Sequence, residues 1–171
     1  RNFWELAHGL ERHDEMSSHL VLQTFIGNHD VDRIASLVGE DGAVLAIAIL
    51  LTVAGMPSIY YGDEYGFTGT KDEGFRADAP LRPALPPSPD DIVLGTPMLR
   101  RYQQLIGFRR RHAWLSTART DVLEKTNTTI RYRSTEQNGS ASLTVTLSLD
   151  DAASVSIEAS DGENWFWRAG G

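Results

Sequence analysis

The spacing of apolar positions changes several times along the chain, and each change marks a different kind of element. Phe3, Leu6, Ala7 and Leu10 recur at helical intervals and predict an amphipathic helix over about the first dozen residues. Leu20 to Ile26 is a short apolar, partly β-branched run that stops at Gly27, as a buried strand does. A second helix is expected from about Gly42, with Asp41 as its cap and Gly55 and Pro57 as its stop. It is apolar almost all round, so it must be covered on most sides. Ser58 to Tyr61 then reads as a second buried strand, with the proline before it placed where a missing N–H is tolerated. Strand, helix, strand in this order predicts a parallel βαβ unit with a right-handed crossover.

From Gly62 to Gly95 the periodicity disappears. Six of the seven prolines fall between Pro80 and Pro97, and Pro86-Pro87 excludes helix there. A structureless stretch of this length inside a compact domain usually carries function or is disordered. Thr96-Pro97 opens a third helix, expected to face inward through Leu99, Tyr102 and Ile106 and to close on Arg109, Arg110, Arg111 and His112. After Ser116 the period becomes two. Ile130 and Tyr132, then Leu143, Val145, Leu147 and Leu149, then Val155 and Ile157 alternate with polar residues. Turns are expected at Asn138-Gly139, Asp150-Asp151 and Asp161-Gly162. The fold class is therefore α/β over residues 1–115, followed by a small antiparallel, β-sandwich-like domain over 116–171.

Composition narrows the function without choosing it. The net charge of −7 argues against a nucleic-acid partner, despite the arginine run at 109–111, and disfavours an anionic membrane surface. The most apolar stretch, Ala43 to Met56, is shorter than the roughly 20 residues that span a bilayer. There are no cysteines, which removes disulfides and thiolate metal sites but leaves the compartment undetermined. The chain begins at Arg1 without a signal-like segment and reads as an excised piece.

The chemistry centres on Phe25-Ile26-Gly27-Asn28-His29-Asp30. A His beside an Asp, just past the C-terminal end of a parallel strand, presents both side chains to a pocket. The carboxylate can accept hydrogen bonds from sugar hydroxyls and stabilise positive charge growing at an anomeric carbon. A capping Asp beside a solvated His is the plain alternative. A metal site from His29, Asp30 and Asp32 lacks a strong ligand spacing.

These residues resemble the F-x-x-N-H-D block of glycoside hydrolase family 13, the α-amylase family. Arg33 follows at the usual distance, and Gly55-Met56-Pro57-Ser58-Ile59-Tyr60-Tyr61-Gly62-Asp63-Glu64 is similar to that family's last barrel strand. The resemblance covers about residues 1–115, and the β domain only in position and size. It implies the last two βα units of a TIM barrel, with helices outside the two strands and the barrel interior inside. It also implies an α-linked glucose oligosaccharide or polysaccharide as substrate. Asp30 matches the transition-state stabiliser and His29 the histidine that binds the same sugar, with Asn28 and Arg33 as further substrate-binding positions. Asp78 and Arg82 are similar to an Asp-x-x-x-Arg pair that contacts a neighbouring glucose; a surface ion pair is the alternative reading. Calcium is frequent in the family, but no ligand set can be named here, and no cofactor is identifiable.

Retaining glycosidases use a nucleophile and a general acid/base about 5–5.5 Å apart. Only 24 residues precede Phe25, and none of them matches the family's G-x-R-x-D block. The chain alone is thus expected to be inactive. Two strands do not close a barrel, so the expected partners include the missing N-terminal part of the same barrel, or another copy through exposed strand edges. A non-catalytic carbohydrate-binding or structural β module is the rival function. Trp165, Phe166 and Trp167 would be its sugar-stacking face, but alternation sends Phe166 to the side opposite the tryptophans and makes at least part of the cluster core.

Overall fold

The computed structural model describes residues 2–92 and 96–171. Helix α1 (Trp4–Ser17) leads to strand β1 (Gln23–Thr24), helix α2 (Ile34–Thr52), strand β2 (Met56–Pro57) and helix α3 (Thr96–Arg111). Strands β3 (Arg119–Lys125), β4 (Thr129–Thr135), β5 (Ser142–Ser148), β6 (Ser154–Ala159) and β7 (Asn164–Arg168) follow. Between β2 and α3 the described chain has only short 3-10 turns at Asp63–Tyr65, Ala79–Leu81 and Pro89–Asp91. Residues 93–95 of the expected irregular stretch lie outside the described residues.

β1 and β2 are parallel and in register, Gln23 with Met56 and Thr24 with Pro57. The Met56 N–H donates to Leu22 O and the Ser58 N–H to Thr24 O, each at 2.7 Å. Gly55 makes this approach possible: it sits at φ +108°, and a Cβ there would stand 2.5 Å from Leu22 O. The ladder is much shorter than the run 20–26 suggested, and β2 lies before the expected second strand: Ser58 to Tyr61 hold no strand and are only half-buried. Leu20, Val21, Phe25 and Met56 are exposed instead of buried. A parallel strand becomes buried only when neighbours and helices cover both of its faces, and among the described residues each strand pairs only with the other.

α2 also departs from expectation. It starts at Ile34 rather than near Gly42, and Gly39 (φ 79°, ψ 171°) breaks it into a short and a long segment. The break, not Asp41, therefore marks where the long segment begins. By length and mean hydropathy (19 residues, 2.0) α2 would pass for a membrane span. Its role is that of a core helix: Ala43, Val44, Ile47, Ala48 and Leu51 are all buried in the common core. In α3 the inward stripe is Met98, Tyr102, Leu105 and Phe108, so the expected stripe of Leu99, Tyr102 and Ile106 is rotated about Tyr102. The last turn holds Arg109, which donates to Leu51 O, Val53 O and Gly55 O at 2.6–3.0 Å and satisfies the carbonyls at the end of α2. Burial lowers its pKa to about 10.

The five C-terminal strands form one antiparallel sheet in chain order. Its inner face is the predicted one: Ile130, Tyr132, Leu143, Val145, Leu147, Val155 and Ile157 are buried. β3 was not visible in the alternation. Its hairpin turns at residues 126–128, where Thr126 Oγ1 accepts the N–H groups of Thr128 and Thr129. A single apolar core joins the sheet to all three helices. Polar contacts reinforce it: Thr52 Oγ1 meets the Tyr132 hydroxyl at 2.5 Å, and Ser134 Oγ donates to Thr52 O at 2.7 Å.

Asp14 ties α1 to the sheet. It accepts from Arg119 Nε at 3.0 Å and from the Thr120 N–H at 2.7 Å. Burial pushes its carboxyl up, but the Arg119 and Thr120 hydrogen bonds and the nearby positive charges outweigh burial and hold it below 3.8. A carboxyl with a depressed folded pKa stabilises above its unfolded pKa and loses that contribution as pH falls through the folded value. Asp14→Ala should therefore cost about 2 kcal/mol at pH 7. In urea melts the deficit should disappear in the pH range below about 4.

Candidate active site

The site begins where β1 ends. Gly27 is buried, and a Cβ there would lie 3.0 Å from Asp63 Oδ2, so a larger residue would crowd the carboxylate of the segment after β2. Asn28 shapes the next turn by accepting the Asp30 N–H on Oδ1 at 2.8 Å. His29 and Asp30 then emerge side by side, Nε2 to Oδ2 at 3.2 Å, both more than half exposed.

Beneath them lies a buried anchor. Arg33 is 1% exposed; its Nε donates to Leu81 O at 3.0 Å and its Nη1 to Tyr61 O at 2.6 Å and to Asp63 Oδ1 at 2.9 Å. The guanidinium also lies over the Tyr60 and Tyr61 rings, 4.2 and 5.1 Å from their centroids. Burial raises the Asp63 carboxyl above its ordinary value, with Arg33 opposing the shift. Arg33 thus stitches the turn after β1 to the segment after β2, and its side chain is enclosed rather than offered to solvent.

The irregular loop returns across this rim. Arg82 Nη2 stands 3.1 Å from Asp78 Oδ2 and 3.4 Å from Asp30 Oδ1, and Arg82 Nε donates to His29 O at 3.3 Å. The structure therefore brings Asn28, His29, Asp30, Asp78 and Arg82 together, with Arg33 below them. Sequence reasoning missed Lys71, which has no motif around it. Its N–H donates to Asp32 Oδ1 at 2.7 Å, and its ammonium lies 2.9 Å from Asp78 Oδ1 and 3.3 Å from Asp30 O. Lys71 holds the Asp78 carboxyl below the ordinary carboxylate range, and Asp78 in turn raises Lys71. Asp63 was also missed as the partner of Arg33, although it sits inside the second motif.

The Asp30 carboxylate is open to solvent between a histidine and an arginine. It can accept hydroxyl hydrogens and face a growing positive charge. Asp30, Asp32 and Asp78 are each engaged by Lys71 or Arg82.

The model of the α-amylase catalytic domain matches residues 2–139. The chain belongs to the α-amylase family. It is similar to the α-amylase SusG of Bacteroides thetaiotaomicron, 46% identical over 66 residues, which are 37% of this chain and 10% of that protein. It is also similar to a 4-α-glucanotransferase of Thermotoga neapolitana, 39% identical over 71 residues, 40% of this chain and 16% of that one. The α-amylase-family segment seen here thus matches only a small share of these relatives' length. Among solved structures, cyclic α-maltosyl-(1→6)-maltose hydrolase of Arthrobacter globiformis superposes with a TM-score of 0.70 at 22% identity, covering 98% of this chain and 40% of that one. The cyclomaltodextrin glucanotransferase CldA gives 0.70 at 21%, covering 91% and 31%. These likenesses establish a shared fold: a short parallel sheet with its helices, part of a barrel, followed by a C-terminal antiparallel sheet.

Proposed function

We propose that this chain is the closing part of a retaining α-glucan hydrolase or transglycosidase, with the end of the barrel in residues 1–115 and the appended β domain in 116–171. The observation that carries the reading is the open Asp30 carboxylate at the C-terminal end of β1, held between His29 and Arg82. Asp30 grips the hydroxyls of the reacting glucose and stabilises the oxocarbenium-like transition state, with charge attraction strongest when that positive charge has developed. His29 donates to a hydroxyl of the same ring. Asp78 and Arg82 meet the adjoining glucose. Asn28 and Arg33 serve by position, one shaping the turn that aims Asp30 and the other locking the two strand ends together.

The nucleophile and the general acid/base belong to barrel strands outside this chain, so the 171 residues by themselves do not turn over. The rival β-module reading is weaker, because Trp165 and Trp167 pack against the common core while Phe166 alone points outward. The test has two arms. The isolated chain, incubated with maltoheptaose, should release no reducing ends. The full-length enzyme carrying this segment should give products that proton NMR shows first as the α-anomer. Turnover by the isolated chain, or first-formed β-anomer from the full-length enzyme, overturns the proposal.

A further inference from the structure

We infer that Lys71 is a positioning residue for the glucose beside the reacting one: by occupying one oxygen of Asp78 it keeps Arg82 shared between Asp78 and Asp30. This rests on the reading of the Asp30 site given above. Arg82 Nη2 donates to Asp78 Oδ2 at 3.1 Å and to Asp30 Oδ1 at 3.4 Å, so a single nitrogen serves both carboxylates. A guanidinium left alone with one carboxylate prefers to grip both of its oxygens at once. Here the second oxygen of Asp78 is taken. Lys71 Nζ stands 2.9 Å from Oδ1. That oxygen is closed off from solvent, and among the described residues no hydrogen bond of good geometry reaches it, so the ammonium is the charge that compensates it. Lys71, ahead of Arg82, is also what holds the Asp78 carboxyl low.

The ammonium starts from a fixed point. The Arg33 N–H donates to Gly69 O at 2.9 Å, the Gly69 N–H to Ser36 Oγ at 2.8 Å and the Lys71 N–H to Asp32 Oδ1 at 2.7 Å. Residues 69–71 are thereby fastened to the segment that carries Asp30. They also lie close against the turn that carries Asp78 and Arg82, because a Cβ on Gly69 would stand 2.4 Å from Pro80 O. From this anchor the Lys71 side chain reaches Asp78 and, at 3.3 Å, the main-chain oxygen of Asp30. Lys71 and Asp78 are both partly exposed, so their pairing adds little to stability. What it fixes is which atoms of Asp78 and Arg82 remain for a substrate.

Without Lys71, Asp78 should close on Arg82 with both oxygens and draw it away from Asp30. Asp78 and Arg82 meet a ring that does not react, so the loss falls on KM more than on kcat. In the full-length enzyme, Lys71→Met should raise KM for maltoheptaose about tenfold, with a smaller change in kcat and no shift in melting temperature. Lys71→Arg keeps a cation on Asp78 Oδ1 and should restore most of the affinity. In an Asp78→Asn background the charge that would seize Arg82 is gone, so Lys71→Met should add nothing. An unchanged KM in Lys71→Met overturns the inference, as does an equal effect with and without Asp78→Asn. So does a rise in KM that comes with a lower melting temperature and is not relieved by arginine. Failure of the underlying reading looks different: it would show as undiminished turnover in Asp30→Asn.

Discussion

Asp30→Asn in the full-length enzyme should lower kcat on maltoheptaose about a thousandfold, equivalent to about 4 kcal/mol of lost transition-state stabilisation. Asparagine has the same shape and still accepts a hydrogen bond from a sugar hydroxyl, so substrate affinity should move little. What it lacks is the negative charge, and that charge matters most once the anomeric carbon becomes positive. The fold should be indifferent. Asp30 is more than half exposed, and its contacts with His29 and Arg82 lie at the surface and contribute little. Steady-state kinetics with a thermal melt separates the two effects. A large loss of kcat without a shift in melting temperature is expected, and wild-type turnover would end the assignment of this residue.

Arg33→Met should act in the opposite way, on stability first. It removes the partner of Asp63 while leaving the carboxylate enclosed, because both side chains of the pair are 1% exposed. Removing one partner from a buried ion pair costs about 3–5 kcal/mol, since the other charge stays behind without compensation. The carbonyls of Leu81 and Tyr61 lose their donor as well. Asp63 already has a raised carboxyl pKa from burial, and without Arg33 it should rise further. A carboxyl whose folded pKa exceeds its unfolded value is least costly below the unfolded value and most costly once pH passes the folded one. The deficit in urea midpoint should therefore be greatest at neutral pH and shrink as pH falls towards about 4. Arg33→Met with Asp63→Asn should recover much of the loss. If the double variant is no more stable than the single one, the pair is not what Arg33 supplies.

Much of the site was legible because its residues are neighbours in the chain. Asn28, His29 and Asp30 follow one another past an apolar run, so any strand there delivers them to one rim. Asp78 and Arg82 were legible only as a spaced pair. Their meeting with Asp30 depends on the path of a proline-rich loop that no local pattern describes. Arg33 shows the limit most clearly. A charged residue three positions from Asp30 was expected to reach the substrate, and the fold encloses it because Asp63, thirty residues later, supplies the matching charge. Lys71 carried no signal, since a lone lysine in an irregular stretch reads as a solvated surface group.

By itself the sequence determined the three helices in outline, through apolar spacing, and the family, through two motif blocks in order. It also determined the inner face of the C-terminal sheet, because alternation along a strand is a local property. Tertiary structure alone decided that β1 and β2 keep a ladder of two residues with exposed flanks, that α3 turns Met98 and Leu105 inward, and that helices and sheet share one core. The reason is physical: periodicity states how much surface an element must cover, whereas burial and charge pairing depend on which distant element arrives to cover it.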